Sequence, residues 1–350
     1  MDWSKTVARE EELGFESHAG NEGRQLTHAE AIREALELAL GHDDRVFIMG
    51  QGVDDPVGMF GITRDLHKKY GQDRVFDTPL SENALTGIAV GAALSDMRPV
   101  YMHNRPDFLL LAMDQIVNHA SKWSYMFGGN MKVPLVIWAA IGRGWGGAAQ
   151  HTQSLQGLFN HIPGLRLIMP SRPCDAKGLL LAGIAENNPV IIIEHRWLFR
   201  QTGPVPEGLY LIPLGRGVIR RQGTDITIVA ISHMVIEALM AARELQAQGI
   251  EAEVIDPRTL KPLDEEMILN SVKKTGGLII ADTGWKTGGV GAEIASMVAE
   301  KGFNYLKAPI KRIATLDVPT PAGYTLEAKF YPNRGDIVSG CREVLNSKAK

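Results

Sequence analysis

Two residues of this sequence have the type and the setting to move protons. Glu82 stands in "DTPLSENALTGIAVGAAL" (77–94), at the mouth of a helix otherwise made of Ala84, Leu85, Ile88, Ala89, Val90, Ala92 and Ala93. A carboxylate held against such a surface loses water, which disfavours its charged form and raises its pKa. The plainer alternative is a helix-start acid answering the helix dipole. His151 lies in "AAQHTQS" (148–154), beyond the glycine-lined end of the apolar run "VPLVIWAAI" (133–141). Strand ends are where open α/β sheets bind ligands, and a histidine there titrates near neutrality. A solvent-facing loop histidine is the alternative. Other catalytic signatures are missing: "GRGWGG" (142–147) is not G-x-G-x-x-G opening a helix, and neither a P-loop, a G-x-S-x-G elbow nor a close Cys/His zinc set occurs.

The elements that must carry these residues alternate between helix-like and strand-like periods. "THAEAIREALELALG" opens on a capping box, Thr27 with Glu30, and is expected to stop at Gly41. Strands are expected at "RVFIMG", "RPVYM", "VPLVIWAAI", "LRLIMP" and "PVIIIEH", with helices over 81–94, 108–123 and 175–186. Continuous apolar strands are the mark of a parallel sheet buried on both faces. Residues 201–222 are rich in Gly and Pro and follow neither period, so the domain junction is placed there. The alternation then restarts with "DITIVAI", "MVIEALMAARELQAQG", "EAEVIDPRTL", "DEEMILNSVKKTG", "GLIIADTG" and "GGVGAEIASMVAEKG". The expected architecture is α/β with two doubly wound domains, 25–200 and 223–350, after an N-terminal arm over 1–24.

Composition narrows the class. A length of 350 residues suits two domains, and 45% hydrophobic with 22% charged residues is that of a soluble globular chain. A net charge of −3 gives no reason to expect nucleic acid or a membrane surface as partner. The polar, acidic opening resembles neither a secretory signal nor a transit peptide, and no run reaches the roughly 20 apolar residues that span a bilayer. Two sparse cysteines beside 13 methionines point to a reducing, cytoplasmic setting.

The order and spacing of "RVFDTPLSE" (74–82), "GIAVGAAL" (87–94), "DQIVN" (114–118), "AAQHTQS" (148–154), "HIPGL" (161–165), "DAKGLL" (175–180), "NNPVIIIE" (187–194), "VIDPRTLKPLDEE" and "TGGVGAEIA" carry a resemblance that spans most of the chain. It resembles the β subunit of the thiamine-diphosphate-dependent decarboxylase component of 2-oxo acid dehydrogenase complexes, of pyruvate, branched-chain or acetoin type. The resemblance implies a pyrimidine-binding, transketolase-like first domain with a mostly parallel sheet and a transketolase C-terminal-like second domain. It implies that Glu82 hydrogen-bonds a ring nitrogen of the aminopyrimidine, favouring the imino tautomer that makes the ylide, and that Phe108 stacks on that ring, ordinary core packing being the alternative for Phe108. His151 matches a histidine that assists acyl transfer to lipoamide. Leu135, Gly183, Glu186 and Asn188 match positions that hold K⁺ through backbone oxygens in some members.

The diphosphate and Mg²⁺ motif, G-D-G followed by an Asn, is missing, and "RGDIVSG" stands in the wrong context. The resemblance therefore implies an α subunit that carries it, an α₂β₂ assembly with β–β association, and docking of the second domain to a lipoyl acyltransferase core. One stretch departs from the family: Met102 stands where many members have glutamate, and "HNRPD" (103–107) where they are apolar or small. His103 and Arg105 are thereby candidates for recognising an anionic or hydroxylated substrate, with loop variation as the alternative. The implied activity is decarboxylation of a 2-oxo acid with acyl transfer to lipoamide. Its rivals are a split transketolase-like or acyloin-forming carboligase, and a catalytically silent scaffold.

Overall fold

The structure is a computed structural model that describes residues 24–142 and 146–348. Of the N-terminal arm only Arg24 is described, and Arg143, Gly144 and Trp145 of "GRGWGG" also lie outside the described residues. Two compact units form, Met1–Gly142 with Phe159–Leu214, and Arg143–Leu158 with Gly215–Lys350.

The first unit begins with β1 (Gln25–Thr27), α1 (His28–His42), β2 (Val46–Gly50), α2 (Leu66–Tyr70), β3 (Val75–Phe76) and α3 (Glu82–Leu94). It continues with β4 (Arg98–His103), α4 (Pro106–Leu109), α5 (Trp123–Met126) and β5 (Val136–Ile141). After α6 (Gln156–His161) come β6 (Arg166–Ile168), α7 (Pro173–Ala185), β7 (Val190–His195) and β8 (Thr202–Pro204). Within this unit the sheet order is β6-β7-β5-β4-β2-β3 and every pairing is parallel. The chain leaves β2 for the β3 edge and returns to β4 on the other side, so the strand order reverses between β2 and β4.

Local chemistry explains these elements. In α1 the Thr27 hydroxyl accepts from the Glu30 N–H and a Glu30 carboxylate oxygen accepts from the Thr27 N–H. Ala31, Ile32, Ala35, Leu36, Ala39 and Leu40 repeat at helical spacing and are buried on one side of the sheet with Val100, Met102 and Trp138. The helix passes through Gly41, its expected stop, and ends where Asp43 turns extended and its N–H bonds the Ala39 carbonyl. The stretch expected to be one helix from 108 to 123 is broken. Pro106 starts the short α4, a 3₁₀ turn covers Leu110–Ala112, a π-helical stretch covers Gln115–Ala120, and α5 follows. Residues 201–222 carry two edge strands that the period did not reveal: β8, which pairs antiparallel with β1, and β9 (Val218–Arg221), an edge strand of the second unit's sheet.

In the second unit β9 is followed by β10 (Ile226–Ala230), α8 (Met234–Gln246), β11 (Ala252–Asp256), β12 (Thr259–Lys261) and α9 (Glu265–Thr275). β13 (Leu278–Trp285), α10 (Val290–Lys301), β14 (Lys311–Thr315), α11 (Tyr324–Phe330) and α12 (Arg334–Lys348) complete it. Its sheet order is β14-β13-β10-β11-β9, parallel except for β9, and reverses between β10 and β13. In α9 Asp264 caps the Met267 N–H, Glu265 and Glu266 occupy the first turn, Lys273 and Lys274 the last, and Gly276 closes it at φ 72°. The architecture is α/β with two mostly parallel, doubly wound sheets.

Candidate active site

Ligands of open α/β sheets bind beyond the carboxyl ends of the strands, where the strand order reverses. In the first unit that position is built from the ends of β2 and β4 and from the start of α3. Gly50 ends β2 at φ 148°, and a Cβ there would stand 2.2 Å from the Met102 carbonyl oxygen, so only glycine lets β2 lie against β4. Side chains alternate along β4. Val100 and Met102 enter the core beneath α1, whereas Tyr101 and His103 take the opposite face, their rings 4.0 Å apart between centroids. α3 packs on β4.

Glu82 is the first residue of α3, and Ser81, its N-cap, offers no side-chain cap. The Glu82 side chain is 9% exposed and makes no hydrogen bond or ion pair with the described residues. Burial, with the Glu82 charge adding to it, drives the Tyr101 hydroxyl far above its ordinary pKa, so Tyr101 stays protonated. Three more buried polar atoms in this neighbourhood lack a partner among the described residues: Thr78 Oγ1, Thr86 Oγ1 one turn along α3 from Glu82, and His103 Nε2. Burial depresses the His103 pKa to about 3, so its imidazole is neutral. Phe108 is half-buried on α4, whose N-cap is Arg105. An acid with a free carboxylate, an aromatic ring and orphaned polar atoms at a strand-order reversal fit a planar heterocycle with polar edges.

Gly183, Glu186 and Asn188, matched to a K⁺ position, lie where α7 ends and β7 begins, and Leu135, the fourth, precedes β5 opposite the start of β7. The Leu135 carbonyl accepts from the Val190 N–H at 2.9 Å, and the Gly183 carbonyl from the Glu186 N–H at 3.3 Å. Arg98, 8% exposed, donates to the Ile184 carbonyl at 2.7 Å, the Glu186 carbonyl at 3.0 Å and Asn187 Oδ1 at 3.1 Å. The Glu186 carboxylate accepts from the backbone N–H groups of Asn187 and Asn188. The oxygens are of the right kind for a monovalent cation, but the Arg98 guanidinium already bonds one of them, the Glu186 carbonyl. Among the described residues, no group of three or more His, Cys, Asp or Glu is placed to hold a metal ion.

His151 belongs to the second unit and is exposed, just past a 3₁₀ turn over Ala148–Gln150. Its segment is fixed to β13 within that unit. Gln156 Nε2 donates to Asp282 Oδ1 at 2.7 Å, both residues being buried, and Ser154 faces Thr283 at 3.4 Å. Burial pushes the Asp282 carboxyl up to about 6, against hydrogen bonds from Gly284, Gln156 and Thr283 that pull it down. Asp282 and Thr283 lie where the second sheet reverses its strand order. Sequence reasoning missed Tyr101, Thr86, Gln156 and Asp282. Thr86 was within reach, four residues from Glu82 on the same helix face, and a carboxylate inside "GLIIADTG" is a signal in itself.

The transketolase pyrimidine-binding domain family matches residues 24–202, and the transketolase C-terminal domain family matches 215–337. The chain is 43% identical over 338 residues, 93% of its length and 99% of the relative's, to the acetoin:2,6-dichlorophenolindophenol oxidoreductase subunit beta of Bacillus subtilis. It is 42% identical over 320 residues, 91% of this chain and 98% of the relative, to the pyruvate dehydrogenase E1 component subunit beta of Rickettsia felis. Among solved structures it resembles a split-gene transketolase described as an inactive beta4 tetramer, with a TM-score of 0.75 and 25% identity over 92% of this chain and 99% of that one.

Proposed function

This chain belongs to the β-subunit family of thiamine-diphosphate-dependent 2-oxo acid dehydrogenases of the pyruvate and acetoin type, and on that premise we propose that Glu82 is the proton-sharing carboxylate of a cofactor site completed by an α subunit. The observation that carries the proposal is the Glu82 side chain, buried yet unpaired at the head of α3. When bound, thiamine diphosphate supplies the carbanion-stabilising chemistry that lets a 2-oxo acid lose CO₂.

The chain's own residues supply the setting. Glu82 holds a proton between its carboxylate oxygen and a ring nitrogen, in surroundings dry enough to strengthen that bond. Phe108 gives the ring a stacking face, and Tyr101, kept protonated, adds no second charge beside the carboxylate. His151 moves the proton at acyl transfer to lipoamide, and Arg105 and His103 face the donor.

The chain has no G-D-G…Asn motif, so the α subunit of an α₂β₂ assembly provides the Mg²⁺ and diphosphate ligands, β chains contact each other, and the second unit docks a lipoyl acyltransferase core. K⁺ at the Leu135, Gly183, Glu186 and Asn188 carbonyls belongs to the same reading, and unfolding temperatures in KCl against NaCl test it. Cys174 and Cys341 are both buried and form no disulfide, which suits a reducing cytoplasm. No helix among the described residues is long and apolar enough to cross a membrane.

The likeness to a split-gene transketolase supports a second reading, transfer of a two-carbon unit to an aldehyde. Co-purification with an α subunit followed by assay of CO₂ release separates the two by acceptor. Reductive acylation of a lipoyl domain supports the first reading. Product formation only with an aldehyde acceptor supports the second.

A further inference from the structure

The His103 side chain is 4% exposed, its ring lies against Tyr101, and its Nε2 has no hydrogen-bond partner among the described residues. It ends β4 in register with Ala139, next to the strand-order reversal and on the face that bears Glu82 and α3. A buried polar atom left unmatched is costly, and such atoms in native proteins are answered by something. On the reading above, Glu82 answers the cofactor's ring nitrogen, which leaves the imidazole to the donor. The ring is uncharged, since burial holds its pKa at about 3, and so it does not attract a carboxylate as a cation would. A neutral imidazole nitrogen pairs with a hydroxyl, whereas a purely alkyl donor would leave Nε2 unsatisfied. A site built to hydrogen-bond a substrate hydroxyl rejects the analogue that lacks it far better than an apolar pocket sorts alkyl groups by size.

We propose that His103 is the specificity-determining residue of this site, its Nε2 hydrogen-bonding a side-chain hydroxyl of the donor, and that the donor is a hydroxylated 2-oxo acid. This rests on the thiamine diphosphate reading of the Glu82 site. Arg105, two residues further along the chain, then meets the donor's carboxylate, so charge and hydroxyl are read by different residues.

The test uses the complex reconstituted with its α subunit and thiamine diphosphate. kcat/KM is measured for hydroxypyruvate, pyruvate and 2-oxobutyrate in the wild type, His103→Phe and His103→Gln. Dissociation constants are measured in parallel for unreactive acylphosphonate analogues with and without the hydroxyl. The wild type is expected to prefer the hydroxylated donor and analogue by about 10- to 100-fold, the effect of leaving one buried neutral group unpaired. His103→Phe removes that preference, and His103→Gln, which keeps a donor and an acceptor, restores part of it even if the Phe variant folds poorly. A wild type without preference, or a Phe variant that keeps it, overturns the proposal. So does an equal loss on all donors with weakened thiamine diphosphate binding, which would assign His103 to the cofactor. If the wild type turns over no 2-oxo acid, the functional reading falls, while the analogue constants still decide the role of His103.

Discussion

Glu82 was legible in the sequence because its setting is local: one acid opening a helix of small apolar residues is visible without knowing the fold. His103 was legible only as a departure in type. Its burial comes from pairing with β5 and from the ring of Tyr101, which no local pattern displays. Arg98 is a third case, an arginine that reads as a surface residue yet is buried against carbonyls 86 and 88 positions away. Replacing Arg98 with Leu strands the Ile184 and Glu186 carbonyls and Asn187 Oδ1. Leaving buried acceptors unpaired costs about 1–3 kcal/mol each, so the variant should unfold at least 2 kcal/mol earlier in a urea titration. An unchanged midpoint would show that these oxygens find other donors.

At the scale of elements, most helices and strands followed from period and caps, and the misses have physical causes. Residues 108–123 have helical composition, but the 3₁₀ turn at Leu110–Ala112 and the π-helical stretch at Gln115–Ala120 divide it, because packing on α3 rather than propensity sets its course. The segment bearing His151 could not be placed from sequence, since it is anchored by a hydrogen bond spanning 126 positions, from Gln156 to Asp282. Gly157 helps, because a Cβ there would come 2.9 Å from the Gly288 carbonyl oxygen. The anchor has a pH signature. The Asp282 pKa is raised from 3.8 to about 6 on folding, so between those values the native state binds more protons than the unfolded chain. Stability contributed by this site therefore falls as pH rises from about 4 to 6 and stays low above, by roughly 3 kcal/mol at 1.36 kcal/mol per pKa unit. Asp282→Asn, which has no charge to bury, should lack that decline when unfolding is followed from pH 4 to 7. Parallel curves for both proteins would remove Asp282 from the account. If the anchor also positions His151, Gln156→Ala should slow lipoyl acylation more than CO₂ release, and equal slowing of the two would speak against it.

For the molecule as a whole, the sequence conveyed two doubly wound domains. It did not convey that the chain leaves the first compact unit after Gly142, joins the second over Arg143–Leu158, and returns. On the proposed reading the chain offers a carboxylate and an aromatic face to the cofactor but lacks the motif that would hold its diphosphate, so binding should depend on the partner. By calorimetry, thiamine diphosphate with Mg²⁺ should bind the isolated chain at least 100-fold more weakly than it binds the complex. Equal affinities would mean that this chain grips the diphosphate itself. The central claim, that Glu82 holds the proton that activates the cofactor, is tested most directly by exchange of the thiazolium carbon-bound proton into deuterated water in the reconstituted complex. The wild type should exchange it rapidly and Glu82→Gln at least 100-fold more slowly, within the span of a lost acid–base group, while both variants still bind thiamine diphosphate. Exchange in Glu82→Gln at the wild-type rate would contradict the account.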